Sequence, residues 1–329
     1  MAAKDAVIMV ENSSIVIPSS GFIFTPLDSV QSCAELYMLR HPLGQIRFAM
    51  KFGLFGINTG PCADPQTMRN VAVAAEQAGF ESVWTGEHVV LPDPQVPPSP
   101  APPLLPFVHP FTALAYIAAV TDKLLLGTGI TLVAQRNAVV LAKETASVDH
   151  ISKGRLLFGV GAGYLQQEFA ALGVRFEERG ARTDEYIDAI RELWTAEKPV
   201  FSGEFVNFAG IQSRPLASQP GGPPVIVGGT SAPAYRRALQ KGQGWYGFAM
   251  DVEAARASVE ALRQAAESTP RDKALGELEI SITPRGRLTE EDLKAFGDMG
   301  VSRLILLMPG QTEEKLLALV DQIATDFIR

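Results

Sequence analysis

The sequence predicts a closed (β/α)₈ barrel of the TIM type, and two observations support that prediction. Short apolar segments alternate with amphipathic ones in eight strand–helix units after residue 50. In addition, the first predicted strand is followed by Asn58-Thr59-Gly60-Pro61 and not by the Gly-x-Gly-x-x-Gly pattern of a dinucleotide-binding sheet. One continuous series of eight units without that pattern favours a barrel over a doubly wound sheet.

The strands and helices follow from apolar runs, amphipathic periods and capping residues. The first predicted helix has Asp64 as its N-cap, Pro65 at its first position and Gly79 at its end. Further helices are predicted at residues 110–120, 138–151, 166–172 and 183–195 and after each of the last three strands. The eight predicted strands are residues 51–57, 82–86, 124–132, 155–160, 224–227, 245–248, 278–283 and 304–308.

Three stretches fall outside this series. Residues 1–49 contain Pro and Ser clusters and two β-like pieces, at 15–17 and 22–24, without an amphipathic period. They are expected to form an irregular N-terminal extension, either a flexible arm or a mis-set start, with a strand packed on the barrel as the alternative. The barrel itself is assigned to residues 50–329. Residues 198–222 are expected to form a small hairpin insertion, and the proline-rich residues 92–106 a stiff loop over the barrel mouth.

Composition and charge exclude several classes of function. The net charge is −7 and no cluster of Lys and Arg occurs, which argues against a nucleic-acid partner. No apolar run reaches the roughly 20 residues that a membrane span needs. The two cysteines, Cys33 and Cys62, form no Cys-x-x-Cys pair, so neither a disulfide framework nor a thiolate zinc site is expected. These features predict a cytoplasmic protein without a membrane or nucleic-acid partner.

His88 is the sharpest candidate for catalysis. It follows the second predicted strand directly after Glu87, and ligands of a (β/α)₈ barrel bind where the strands end. An imidazole at that position can donate a hydrogen bond or exchange a proton near neutral pH. The alternative is a loop histidine that only bonds to backbone. Glu87, His88, His109 and His150 lack the paired spacing of metal ligands, so no metal site is predicted.

Two glycine-rich strand ends are candidate anion sites. The fourth strand ends in Gly161-Ala162-Gly163-Tyr164 and the fifth in Gly228-Gly229-Thr230. Backbone N–H groups that lack neighbouring side chains can close on a phosphate, and the helix after Thr230 adds its positive N-terminal end. Tight strand-to-helix turns are the alternative explanation for both.

Charged residues elsewhere are assigned to stability. Residues 177–185 are expected to cap the following helix through a network of ion pairs. Asp149 and Arg155 flank the opposite face of the fourth strand and are expected to pair with each other there.

Six stretches of the chain agree in order and spacing with a known pattern. They include Gly79-Phe80-Glu81-Ser82-Val83-Trp84 leading to Glu87-His88, and Asp149-His150-Ile151-Ser152-Lys153-Gly154-Arg155 followed by residues 159–164. The others are residues 50–57, 126–129, 179–185 and 224–229. Together they resemble the luciferase-like monooxygenase superfamily, closely over residues 50–250 and more loosely beyond. Within it the chain most resembles the branch that uses the deazaflavin coenzyme F420 in place of FMN.

The resemblance implies a role for each matching position. His88, with Glu87 before it, would lie against the cofactor ring, and a non-proline cis peptide at Gly129–Ile130 would form a bulge behind it. The backbone at Gly161–Gly163 and at Gly228–Gly229 would hold the cofactor phosphate. The full set of matching cofactor positions is Thr128, Gly129, Ile130, Gly161, Ala162, Gly163, Tyr164, Gly228, Gly229 and Thr230. The sugar-phosphate dehydrogenases of this branch carry a catalytic Glu in place of Tyr164, so a sugar phosphate is not the expected substrate.

The function implied by the resemblance is hydride transfer between F420 and a small organic substrate, in a homodimer. His88 would donate a hydrogen bond or a proton to the substrate group that changes charge. Three alternatives stay open from the sequence: a two-component FMN-dependent monooxygenase, a barrel that binds a flavin without turnover, and a metal-dependent barrel hydrolase. The sequence does not identify the substrate.

Overall fold

The computed structural model describes residues 7–10, 13–16 and 50–329. In the N-terminal unit, Val7–Val10 (β1) and Ser13–Val16 (β2) pair as an antiparallel hairpin. The β-like piece predicted at 15–17 overlaps β2. The piece predicted at 22–24, and the expectation of a flexible arm over the rest of residues 1–49, lie outside the described residues.

In residues 50–329, eight parallel strands close into a ring, which confirms the predicted barrel. Pairing runs from strand to strand in chain order, and the ring closes where the last strand pairs with the first. The strands are Lys51–Phe55 (β3), Ser82–Thr85 (β4), Leu125–Thr128 (β5), Leu156–Gly161 (β7), Val225–Gly228 (β10), Gly244–Met250 (β11), Glu279–Pro284 (β12) and Arg303–Leu307 (β13). The short strand Thr131–Leu132 (β6) pairs with the end of β7.

Helices surround the ring because each carries an apolar stripe that packs against the strands. Asp64 accepts a hydrogen bond from the Thr67 N–H at 2.9 Å, and Gly79 ends the first helix with φ 93°, as the sequence predicts. No helix in the described part of the chain is long and apolar enough to cross a membrane. The helices are Pro65–Ala78 (α1), Pro110–Ala118 (α2), Ala138–Ile151 (α3), Gln166–Ala171 (α4), Arg179–Thr195 (α5), Ala232–Lys241 (α6), Val252–Ser268 (α7), Glu290–Asp298 (α8) and Glu313–Ile323 (α9).

The barrel interior is filled by large side chains from alternate positions of the strands. Trp84, Leu157, Ile226, Tyr246 and Ile305 form this inner cluster, separate from the larger core between strands and helices. An added Cβ on the facing Gly127 would lie 2.3 Å from the Trp84 ring. The interior is therefore a packed core, and a ligand has to bind above it, at an end of the barrel.

An ion cluster around the buried Arg303 side chain lies at the amino-terminal end of the barrel. The Arg303 guanidinium donates two hydrogen bonds to Glu81, at 2.6 and 2.7 Å, and one to Glu279 at 3.1 Å. Lys51 donates to the second oxygen of Glu279 at 2.6 Å. The Arg303 side chain is 2% exposed. These contacts tie β3, β12 and β13 to the residue before β4.

The structure corrects two predictions, one about a strand and one about an ion pair. The strand predicted at 124–132 is divided into β5 and β6, and the cis peptide between Gly129 and Ile130 lies between the two. The expected pair of Asp149 and Arg155 is wrong. Asp149 accepts hydrogen bonds from the loop at 218–219, and Arg155 donates to the Thr121 hydroxyl and to backbone carbonyls. Asp149 and Arg155 therefore each form hydrogen bonds with other nearby atoms and not with each other.

The structure confirms the expected hairpin insertion and the ion pairs of the charged run, but the expected capping is wrong, because the N-cap residue Glu178 makes no side-chain capping hydrogen bond. The insertion at 198–222 contains the antiparallel hairpin of Phe201–Ser202 (β8) and Asn207–Phe208 (β9). Ion pairs link the charged run to its surroundings: Arg182 pairs with Glu178 at 2.7 Å and Asp184 with Arg237 at 2.7 Å. Helix α5 begins at Arg179, within this run.

Candidate active site at the carboxyl end of the barrel

The predicted site residues follow strands that all point the same way, so they lie at one end of the barrel. His88 follows β4, Tyr164 follows β7 and Gly229 follows β10. The register sets Val227 opposite Val160, which places the glycine-rich ends of β10 and β7 side by side. The structure therefore brings together the imidazole and both glycine-rich segments.

Ile130 lies between the two glycine-rich strand ends. The cis peptide predicted at Gly129–Ile130 is present. An added Cβ on Gly161 would lie 2.1 Å from Ile130 Cδ1, and one on Gly228 would lie 2.8 Å from the same atom. These two positions lack side chains because Ile130 needs the space. The Thr128 hydroxyl is buried and donates to the Gly159 carbonyl at 2.7 Å, so it supports the strand pairing.

The backbone just beyond these strands turns through glycines with positive φ. Gly163 has φ 86° and Gly229 has φ 112°, a region that disfavours side chains. Tyr164, Gly229 and Thr230 are exposed, whereas Ala162 is half-buried. Helix α6 starts a few residues on, with Ser231 as its N-cap. The Gly229 N–H donates to the Tyr246 carbonyl at 3.4 Å, so the neighbouring N–H groups and the helix N-terminus are the groups that suit a phosphate.

His88 is held between two side chains. Its Nδ1 lies 3.3 Å from Glu168 Oε2, and its Nε2 lies 3.5 Å from the Tyr164 hydroxyl. Phe107 meets the imidazole edge-on, with ring centroids 5.7 Å apart. The His88 side chain is 8% exposed. The histidine is therefore fixed by a carboxylate, a phenol and an aromatic ring, and not by backbone alone.

Glu168 is a residue of this site that the sequence analysis missed. It lies on α4 and its side chain is fully buried. Its Oε1 accepts from the Val89 N–H at 2.6 Å, and its Oε2 accepts from Gln135 Nε2 at 3.1 Å. Burial alone would raise the pKa of Glu168, but hydrogen bonds from His88 and Gln135 outweigh it and hold that pKa below its usual value. Glu168 is therefore a buried carboxylate that stays ionised.

Glu87 is bound to Arg136 instead of to its neighbour His88. The carboxylate lies 2.5 Å from the guanidinium, which also donates to His109 Nε2 at 2.9 Å. Burial raises the pKa of Glu87, and the charge of Arg136 opposes that rise. Glu87 and His109 stand at the two ends of the proline-rich loop, so Arg136 holds both ends together. Asn58 also joins the two sides of this loop, because it donates to the carbonyls of Gly86 and Val108 at 2.9 and 2.6 Å.

Buried polar atoms without a protein partner are concentrated around this end of the barrel. Buried polar groups normally have hydrogen-bond partners, so such a concentration indicates a site built for a polar ligand. A flavin-type ring, with hydrogen-bonding groups along its edge, fits this donor and acceptor set. Among the residues that the structure describes, no cluster of His, Cys, Asp or Glu could hold a metal ion. The unpartnered atoms belong to Thr85, Glu87, Thr131, Gln135, Arg136 and Glu144.

Comparisons with known proteins agree with this geometry. Residues 49–292 match the model of the family described as luciferase-like monooxygenase. An F420-dependent glucose-6-phosphate dehydrogenase of Gordonia bronchialis is 30% identical over 260 residues, covering 73% of this chain and 71% of that protein. An F420-dependent secondary alcohol dehydrogenase, solved with an F420–acetone adduct, superposes with a TM-score of 0.69 at 16% identity, over 85% of this chain and 98% of the other. The monooxygenase RslO1 from Streptomyces bottropensis superposes with a TM-score of 0.66 at 22% identity, with the same two coverages of 85% and 98%. The chain belongs to the luciferase-like monooxygenase family of oxidoreductases.

Proposed function

We propose that the chain transfers a hydride between the deazaflavin coenzyme F420 and a small organic alcohol or its carbonyl product. The observation that carries the proposal is the joint placement of Ile130, the two glycine-rich strand ends and His88 at one end of the barrel. The similarity to an F420-dependent sugar-phosphate dehydrogenase and the shared fold with an F420-dependent alcohol dehydrogenase support it.

The chain's own residues supply binding, orientation and proton exchange. Bound F420 would supply the acceptance and donation of the hydride. The backbone at 161–164 and 228–230 would hold its phosphate, and Ile130 would support its ring from below. His88 would exchange a proton with the substrate oxygen at Nε2, the ring nitrogen turned away from Glu168.

Exposed apolar side chains at the carboxyl end of the barrel favour an uncharged, partly apolar substrate. Phe248, 48% exposed, packs against Phe55 with ring centroids 5.0 Å apart. Val89 and Val90 are 47% and 44% exposed. The nearby cation Arg136 is already paired with Glu87. An apolar lining with a neutralised arginine suits an alcohol or ketone better than a sugar phosphate.

FMN-dependent monooxygenation is the second candidate function. The description of the matched family and the shared fold with RslO1 favour it. The two candidates differ in cofactor, since deazaflavins do not readily activate oxygen. The choice between them is therefore a question of which cofactor the barrel binds.

Fluorescence titration of the protein with F420 and with FMN tests the proposal. We expect F420 to bind at least tenfold more tightly, a difference of about 1.4 kcal/mol. Competition of FMN against bound F420 serves as the control for a shared site. Equal or tighter binding of FMN would support the monooxygenase and overturn the F420 assignment.

A further inference from the structure

Glu168 and Glu76 both accept hydrogen bonds from backbone N–H groups, but they differ in their side-chain partners. Glu76 on α1 accepts hydrogen bonds from the N–H groups of residues 122–124, at 2.7 to 2.9 Å, and holds that loop in place. Glu168 similarly accepts from the Val89 N–H. Glu168 also faces an imidazole, that of His88. The anchoring of a loop therefore accounts for the bond to Glu168 Oε1. It does not account for the contact between Oε2 and His88.

The hydrogen-bond partners of Glu168 fix the direction of its bond to His88. A backbone N–H and the Gln135 amide N–H can only donate, so both carboxylate oxygens act as acceptors. Both oxygens accept from groups that can only donate, which is the hydrogen-bonding pattern of an ionised carboxylate. An ionised carboxylate has no proton to give, and His88 Nδ1 must therefore carry the proton of this bond. In the neutral imidazole, Nε2 then has the free lone pair.

Tyr164 supports the same assignment from the other side of the ring. Partial desolvation of the hydroxyl, and the negative charge of Glu168, raise the pKa of Tyr164, so the phenol keeps its proton. Its hydroxyl lies 3.5 Å from His88 Nε2 and can donate to the lone pair there. With Nδ1–H donating to Glu168, the neutral imidazole has no proton on Nε2, so the Tyr164 hydroxyl is the donor in that contact.

We propose that Glu168 is a positioning residue that holds His88 in the Nδ1–H tautomer and stabilises the imidazolium formed when Nε2 takes up a proton. The inference rests on the proposed function, because that proton is the one released by a substrate alcohol. An alcohol that gave its hydride to bound F420 would break its O–H bond and form a C=O bond, and the proton would bind at Nε2. Reduction of the carbonyl returns the same proton. A carboxylate behind a histidine acts in this way in catalytic triads.

Nitrogen NMR of the imidazole rings in the cofactor-free protein tests the proposal directly. The chain has four histidines, so a His88→Gln variant identifies the His88 signals. We expect neutral His88 to carry its proton on Nδ1 in the wild type. In Glu168→Gln the side-chain oxygen can still accept from Val89, but the amide then donates toward Nδ1, and the proton should move to Nε2. The matched control Glu76→Gln should leave the His88 tautomer unchanged.

The outcomes separate this inference from the cofactor assignment, because the tautomer is measured without a cofactor. An Nε2–H tautomer in the wild type would overturn the positioning role even if Glu168→Gln did not fold. An unchanged tautomer in folded Glu168→Gln would also overturn it. Should the protein prove active with F420, Glu168→Gln should lower kcat on the order of 10²-fold or more and leave the Kd for F420 unchanged.

Discussion

Replacing His88 with Gln is expected to lower kcat by about 10²- to 10⁴-fold while the Kd for F420 stays within about threefold of the wild type. His88 Nε2 faces Tyr164 and points away from Glu168. It is therefore the ring nitrogen proposed to exchange a proton with the substrate. Glutamine retains a polar side chain but cannot exchange a proton near neutral pH. The loss should therefore fall on turnover and not on cofactor binding.

A matched histidine variant provides the control for that experiment. His150 is exposed on α3, and His150→Gln should leave kcat and the Kd unchanged. Steady-state kinetics and fluorescence titration on the two variants measure both quantities. A His88→Gln enzyme that turns over at the wild-type rate would remove His88 from the chemistry. Loss of cofactor binding instead of turnover would assign it to cofactor recognition.

Replacing Arg303 with Met is expected to lower the free energy of unfolding by about 3–5 kcal/mol. The variant fills a similar volume but leaves the carboxylates of Glu81 and Glu279 without the guanidinium that joins them. Arg175→Met is the control, since Arg175 is 74% exposed and its pair with Glu178 should contribute less than about 1 kcal/mol. Urea unfolding at neutral pH measures both changes. Equal stability of the two variants would show that the buried cluster contributes no more than a surface pair.

The same cluster predicts how stability depends on pH. Burial would raise the pKa of Glu279, but the charges of Arg303 and Lys51 outweigh it and the pKa is lowered. A carboxyl whose folded pKa is depressed stabilises the protein above its unfolded pKa of about 4.3. That contribution disappears as the pH falls through the folded pKa. Wild-type stability should therefore drop below about pH 4 by more than that of Arg303→Met, in which the depression is weakened.

The order of strands and helices could be predicted from the sequence because it depends on local signals. Asp64, Pro65 and Gly79 mark the ends of α1, and eight apolar runs mark the strands. Residues 124–132 contain only Leu, Ile, Thr and Gly, without a charged residue or a proline, so the residue types did not reveal the break at Gly129–Ile130. The cis peptide there was predicted through the family resemblance, and the structure confirms it.

The contacts that complete the site depend on residues distant in the chain, and local patterns do not reveal them. Glu168 and His88 are 80 positions apart and meet because α4 packs beside the segment that follows β4. On a six-residue helix, Glu168 carries no local sign that it is buried. Arg303 stands one residue before the predicted eighth strand, and a single charge there gives no indication of the buried cluster. Asp149 and Arg155 are close in the sequence, yet loop backbone satisfies them separately.

The dissociation constant for F420 in two glycine variants tests the central claim, that the cofactor lies on the glycine-rich strand ends. Gly229 and Gly221 are both exposed and have φ 112° and 79°, so alanine strains either backbone. Gly229 follows β10 at the proposed phosphate position, whereas Gly221 lies in the insertion. We expect Gly229→Ala to weaken F420 binding at least tenfold and Gly221→Ala to leave it unchanged. Equal Kd values for the two variants would contradict the placement of the cofactor at this end of the barrel.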